Sequence, residues 1–135
     1  MTDRARRGAQ AHRTGLAAEE TAARLAAGRG LAVIERRYRT PHGEIDLIAA
    51  SPGLVVFVEV KARRSRDEAA HAITPRQWQR LQAAALHFMA VYHTPTNLSD
   101  PAPSNTGPDL RFDVVLVGRD GCARWIENAR GFDDF

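Results

Sequence analysis

Cysteine is nearly missing from this chain. Cys122 stands alone, so no internal disulfide can close and no cysteine-based zinc cluster can assemble. Lysine is nearly missing too: of the 19 Lys and Arg residues, only Lys61 is lysine. The arginine excess by itself reads as coding bias, but it leaves one compact ammonium able to lose its proton near neutral pH. Long apolar runs are absent. The longest strongly apolar stretch, Leu54 to Val58, is far short of the ~20 residues that span a bilayer. Arg4, Arg6, Arg7 and Arg13 are followed by Glu19 and Glu20 rather than by an apolar secretory segment. A cytoplasmic protein with no membrane partner is the expectation. No Gly-rich phosphate loop, GxSxG elbow, HExxH pair or internal repeat occurs. The five histidines show no ligand spacing, and only His42 lies near the residues of interest.

What is present suits one domain. The 135 residues are 44% hydrophobic and 26% charged, enough for a single core. A net charge of +3 and a pI near 9.7 lean mildly toward anionic partners such as nucleic acid. Residues 1–13 read as a flexible basic arm. A first helix follows from Leu16 to Ala27, with Thr14 as N-cap and Gly28 or Gly30 as the stop. Leu31 to Ile34 opens a strand that ends among Arg36, Arg37 and Arg39. Glu44 to Ala49 and Leu54 to Ala62 form a hairpin around Ser51-Pro52-Gly53. Thr74-Pro75 starts a second helix reaching Tyr92, with Leu81, Ala84, Ala85, Phe88 and Met89 on one face. A Pro-rich loop covers 94–109, two strands (Leu110 to Val117 and Ala123 to Ile126) close the domain at 127, and 128–135 is a C-terminal tail. The order α-β-β-β-α-β-β implies an α/β domain with a mixed central sheet flanked by helices.

The hairpin carries the chemistry. Side-chain alternation puts Val56, Val58 and Val60 on one face and Val55, Phe57, Glu59 and Lys61 on the other. On the preceding strand, Ile45, Leu47 and Ala49 share one face, with Glu44, Asp46 and Ile48 opposite. A short turn sets Ile48 against Phe57, Asp46 against Glu59 and Glu44 against Lys61. Carboxylates directly opposite each other, with Cβ atoms about 4.5 to 5.5 Å apart, repel. Either one takes a proton or a divalent cation, Mg²⁺ or Mn²⁺, sits between them. With a cation, Lys61 is placed to position water or stabilise a transition state. Without one, Glu59 and Lys61 are a solvated pair, or Glu44 and Lys61 an ordinary cross-strand salt bridge. Arg63, Arg64 and Arg66 add a basic rim. Arg76, Gln77 and Arg80 could line a nucleic-acid groove or be arginines simply solvated on an exposed helix face, Trp78 reads as a packing residue, and Arg111 with Asp113 as a structural ion pair.

Gly43-Glu44-Ile45-Asp46-Leu47-Ile48 and Val56-Phe57-Val58-Glu59-Val60-Lys61-Ala62-Arg63 closely resemble the YraN-like family of small bacterial proteins. The likeness extends to Gly15 and Glu19, to Arg36 through Arg39, and to Arg111-Phe112-Asp113-Val114-Val115. That family is similar to the PD-(D/E)xK, or restriction-endonuclease-like, superfamily, which includes Holliday-junction resolvases. The resemblance implies that core fold, a Mg²⁺- or Mn²⁺-dependent nuclease acting on DNA, and a homodimer. It also implies roles for single residues: Asp46 and Glu59 as metal ligands, the Val60 carbonyl as a further ligand, Lys61 as the catalytic lysine, and Glu19 as the helix acid near the site. Arg36, Arg37, Arg39, Arg63, Arg64, Arg76, Gln77 and Arg80 are the expected nucleic-acid contacts. The chain lacks the glycine usual soon after the Glu-x-Lys strand and has Gln77 where lysine is frequent. A catalytically silent nucleic-acid-binding module is the alternative, and a protein-interaction domain ranks below it.

Overall fold

A computed structural model describes residues 3–62, 73–92, 107–118 and 120–130, with α1 before Gly15 described by its backbone. The elements run α1 (Asp3–Gly28), β1 (Ala32–Thr40), β2 (Gly43–Ser51), β3 (Leu54–Ala62), α2 (Pro75–Tyr92), β4 (Asp109–Val117) and β5 (Ala123–Arg130). The strands form one sheet in the order β1-β2-β3-β4-β5, antiparallel throughout except for the parallel β3/β4 pair. That pair needs a crossover, and α2 lies within it. This is the mixed α/β architecture the sequence implies, and its element order agrees with a restriction-endonuclease-like core.

Each face of the sheet is covered by one helix. Ala18, Ala22, Ala23 and Ala26 of α1 pack on Leu47, Ala49, Val56, Val58, Val115 and Val117. The small residues of α1 recur at helical spacing, so it presents a flat apolar stripe. On the other face Trp78, Leu81, Ala84, Ala85 and Phe88 of α2 meet Ile45, Ile48, Val55, Phe57, Phe112 and Val114. Trp78 and Phe88 meet Phe112 and Phe57 edge-on, at centroid distances of 6.5 and 5.9 Å. Trp78 is thus a packing residue. β3, covered on both faces, is the near-continuous apolar run expected of a central strand.

The element ends have local causes. Gly30, at φ +78°, closes α1 in a Schellman arrangement: Leu31 N–H donates to Ala26 C=O and Gly30 N–H to Ala27 C=O. Pro52 and Gly53 (φ +75°) turn β2 into β3, and the Gly53 carbonyl accepts the Asp109 N–H, fixing the start of β4. At α2, Thr74 and Gln77 form a reciprocal capping box, each backbone N–H bonded to the other's side chain.

Three boundaries differ from expectation. The stretch expected to be a flexible arm is helical from Asp3, well before Thr14, because Arg, Ala and Gln dominate it and favour helix. β1 continues through the arginine patch to Thr40, held by pairing with β2. β5 runs into the supposed tail as far as Arg130, because the buried Asp113 carboxylate accepts the Asn128 N–H at 2.8 Å. Most of the 94–109 loop, together with Arg63 and Arg64, lies outside the described residues. Among the described residues no helix is long and apolar enough to cross a membrane.

Candidate functional site

The site begins where two strands part. β3 is paired with β4 from Leu54 through Ala62, but its pairing with β2 ends at Leu47↔Val58. Ile48 faces Phe57 as the turn dictates. Past that point the Val60 N–H donates to the Asp46 side chain, with Oδ2 at 2.8 Å. Asp46 therefore stands in for a backbone acceptor at the fork. The even alternation expected of β2 also slips here. Ile45 and Ile48 both pack under α2 while Leu47 and Ala49 pack under α1. Ile45 thus does not share a face with Leu47, and Asp46 turns toward β3 rather than lying on the Ile48 face.

Burial pushes the Asp46 carboxyl up to about 7, and the Glu59 charge adds to the shift. The Val60 N–H opposes it, Glu19 raises it further and Lys61 lowers it. The other three residues of the expected centre, Glu19, Glu59 and Lys61, thus act on the Asp46 carboxylate from α1 and β3. Lys61 Nζ lies 3.2 Å from Glu59 Oε1, and both side chains are about one-fifth exposed. The Glu44–Lys61 bridge is not the pairing adopted: Glu44 meets Arg39 at 3.5 Å, because the strands splay before Lys61.

Glu59 opens into a cleft of about 190 Å³ between the sheet and α2, shared with Gly43, Glu44, Ile73, Gln77, Arg80 and Leu81. Asp46 and Lys61 do not line it. Gln77 and Arg80 therefore share the cleft with Glu59 and Glu44, although the Gln77 side chain is also committed to capping α2. Arg76 is exposed on the same turn. The β1 arginines carry acid partners: Arg36 with Glu20 at 2.8 Å, Arg37 with Glu19 at 2.7 Å, and Arg39 with Glu44. Part of the basic patch read from sequence is thus balanced locally. His42, on the β1/β2 turn, meets His87 of α2 at 6.2 Å between ring centroids.

Among the described residues no group of three or more His, Cys, Asp and Glu side chains is gathered to hold a metal ion. The acids at the fork number two, Asp46 and Glu59. A pair is what hard Mg²⁺ uses when substrate phosphate and water complete its octahedron. Two crowded, desolvated carboxylates, one of them raised toward neutrality, fit such a cation.

A second charged centre lies on the α1 face, away from the fork. The fully buried Asp113 carboxylate accepts Nε and Nη2 of Arg111, Nε1 of Trp125 and the Asn128 backbone N–H, all at 2.8 or 2.9 Å. Arg111–Asp113 is indeed a structural ion pair. Its continuation was not legible: Glu127 bridges Arg111 and Arg29, and the Arg29 guanidinium lies 5.2 Å from the Trp125 ring centroid. No local pattern announces a pair separated by 98 residues.

Comparison with known proteins gives the family. The profile described as "Uncharacterised protein family UPF0102" matches residues 18–117. A UPF0102 protein of Bradyrhizobium sp. (strain ORS 278) is 50% identical over 107 residues, covering 79% of this chain and 69% of the relative. One from Azorhizobium caulinodans is 42% identical over 124 residues, covering 92% and 87%. One from Rhodopseudomonas palustris (strain BisB18) is 41% identical over 119 residues, covering 88% and 81%. The matched span holds the fork acids, Lys61, α2 and the Asp113 strand, and the chain belongs to the UPF0102 family.

Proposed function

We propose that this protein is a divalent-metal-dependent nuclease of the PD-(D/E)xK type, hydrolysing DNA phosphodiester bonds. The observation that carries the reading is the fork. Asp46 lies just past the last β2/β3 pair, bonded to the Val60 N–H and within reach of the Glu59 charge, and the lone lysine is 3.2 Å from that second acid. A purely structural carboxylate would be expected to sit like Asp113, surrounded by donors; Asp46 instead has another acid as its strongest charged neighbour.

In this reading Asp46 and Glu59, with the Val60 carbonyl, would hold Mg²⁺ or Mn²⁺, which when bound would supply an acidified water and neutralise charge on the scissile phosphate. Lys61 donates hydrogen bonds to the attacking water or to the developing phosphate charge, and its contact with Glu59 keeps the ammonium oriented. Val60 N–H fixes the Asp46 carboxylate so that one oxygen remains for the ion. Arg80 and Arg76 on the rim of α2, with Arg63 and Arg64 beyond β3, attract the phosphate backbone. Arg36, Arg37 and Arg39 contribute less than their number implies, since each already has an acid partner.

The test uses purified protein with labelled linear, flapped and four-way-junction DNA, with and without Mn²⁺, beside Glu59→Ala and Lys61→Ala. Mn²⁺-dependent cleavage lost in both variants is the expected result. Cleavage that persists in both refutes the assignment. Binding without cleavage, equal in wild type and variants, replaces it with a silent nucleic-acid-binding module.

A further inference from the structure

Arg37 is the one non-glycine residue near the fork with left-handed backbone, at φ +50°. That conformation is unfavourable for a long side chain and persists where the surroundings impose it. It sits between the β1/β2 pairs Arg36↔Leu47 and Tyr38↔Ile45, in the place that matches Asp46 on β2. In a regular strand Arg36 and Arg37 would face opposite sides. Here both reach α1, Arg36 to Glu20 and Arg37 to Glu19.

The two ion pairs differ in setting. Arg36 and Glu20 are each 53% exposed, which makes them a solvated rim pair of small consequence. Glu19 is only 21% exposed, and its partner Arg37 lies opposite Asp46 in the β1/β2 register, which brings Glu19 toward the fork. The Arg37 Nε–Glu19 Oε2 contact is 2.7 Å. The fork has two acids available to a cation, and the third in its neighbourhood is the one Arg37 holds.

We infer that Arg37 is a built-in counter-ion that keeps Glu19 out of the cation site, limiting the site to Asp46 and Glu59 and so setting its affinity for a divalent ion. This rests on the reading of those two acids as cation ligands. Arg37 is a positioning residue, acting through Glu19 rather than on substrate. The kinked backbone is what directs it: with ordinary φ, its side chain would leave the α1 side. A loosely held ion retains open positions for phosphate and water, whereas a third carboxylate would occupy one of them.

Arg37→Asn separates charge from folding, because Asn accepts left-handed backbone more readily than Arg. The EDTA-stripped full chain is titrated with Mn²⁺ at pH 7.5, free Mn²⁺ being read by electron paramagnetic resonance. Wild type, Arg37→Asn, Arg37→Asn with Glu19→Gln, and Asp46→Asn are compared. Roughly three- to tenfold tighter binding is expected in Arg37→Asn, the scale of one nearby charge in a partly solvated site. The gain should vanish when Glu19→Gln is added. Wild-type binding that is absent, or unchanged by Asp46→Asn, removes the cation site itself. Asp46-dependent binding with no gain in Arg37→Asn overturns the Arg37 inference alone. A gain that survives Glu19→Gln likewise overturns the part assigned to Glu19.

Discussion

Asp46 makes the protein's stability depend on pH in a direction opposite to that of most paired carboxylates. Its carboxyl is raised from 3.8 to about 7, first by burial and then by Glu59. Below about pH 4 the group is protonated folded and unfolded alike, and its contribution to stability is intact. Between about 4 and 7 the unfolded chain ionises while the folded one keeps its proton, so stability falls as pH rises; the loss levels off about one unit above 7. At about 1.4 kcal/mol per unit, a shift of roughly three units sets a ceiling of about 4 kcal/mol, with about 2 to 3 kcal/mol of it between pH 5 and 8. Relaxation and sharing of the proton with Glu59 reduce this, and half of it still moves the melting temperature by about 4 °C. The assay is thermal unfolding of EDTA-treated wild type and Asp46→Asn across pH 5 to 8. Asn can still accept the Val60 N–H but carries no charge, so the variant should gain on wild type steadily as pH rises. Mn²⁺ at pH 8 should restore much of the wild-type loss and do little for Asp46→Asn. Parallel pH curves for the two proteins would refute the reasoning.

Other outcomes follow from single contacts. Asp113→Asn turns an all-acceptor group toward four donors and should cost about 3 kcal/mol in urea unfolding, since the Arg111 guanidinium loses its counter-charge. Gly30→Ala meets no atom within 4 Å, so its cost is the backbone alone, about 1 to 2 kcal/mol at φ +78°, again read by urea unfolding. Thr74→Ala removes half the capping box of α2 and should cost about 1 kcal/mol, with amide exchange accelerated in the first turn of α2. Phe57→Ala, in the fully buried aromatic group under α2, should cost about 3 to 5 kcal/mol by the same unfolding assay.

The fork explains how one hairpin carries both core and chemistry. β3 is bound on both edges from Leu54 to Val58 and by β4 alone from Glu59 to Ala62. Its first half is therefore core strand, and its second half presents a carboxylate and an ammonium beside the gap left by β2. The free N–H at Val60 needs an acceptor, and Asp46 supplies it. One unmet backbone donor thus fixes the acid that the proposed chemistry uses.

Several features were decided locally and could be read from residue order alone. The alternation of Val55 to Lys61, the Pro52-Gly53 turn, the Thr74-Pro75 start of α2 and its apolar spacing depend on neighbours within a few positions, and the structure keeps them. So does the hairpin register at Ile48↔Phe57, because the turn fixes it. What residue order left undetermined is set between distant segments. The slip at Asp46 falls where β3 parts from β2 while staying paired with β4, and the left-handed Arg37 accompanies a contact with α1. The extension of β5 depends on a carboxylate 15 residues away from Asn128. Propensity and periodicity act over one turn or one hairpin, whereas the proton affinity of Asp46 on β2 depends on acids from two other elements, Glu59 on β3 and Glu19 on α1, and only packing brings those together.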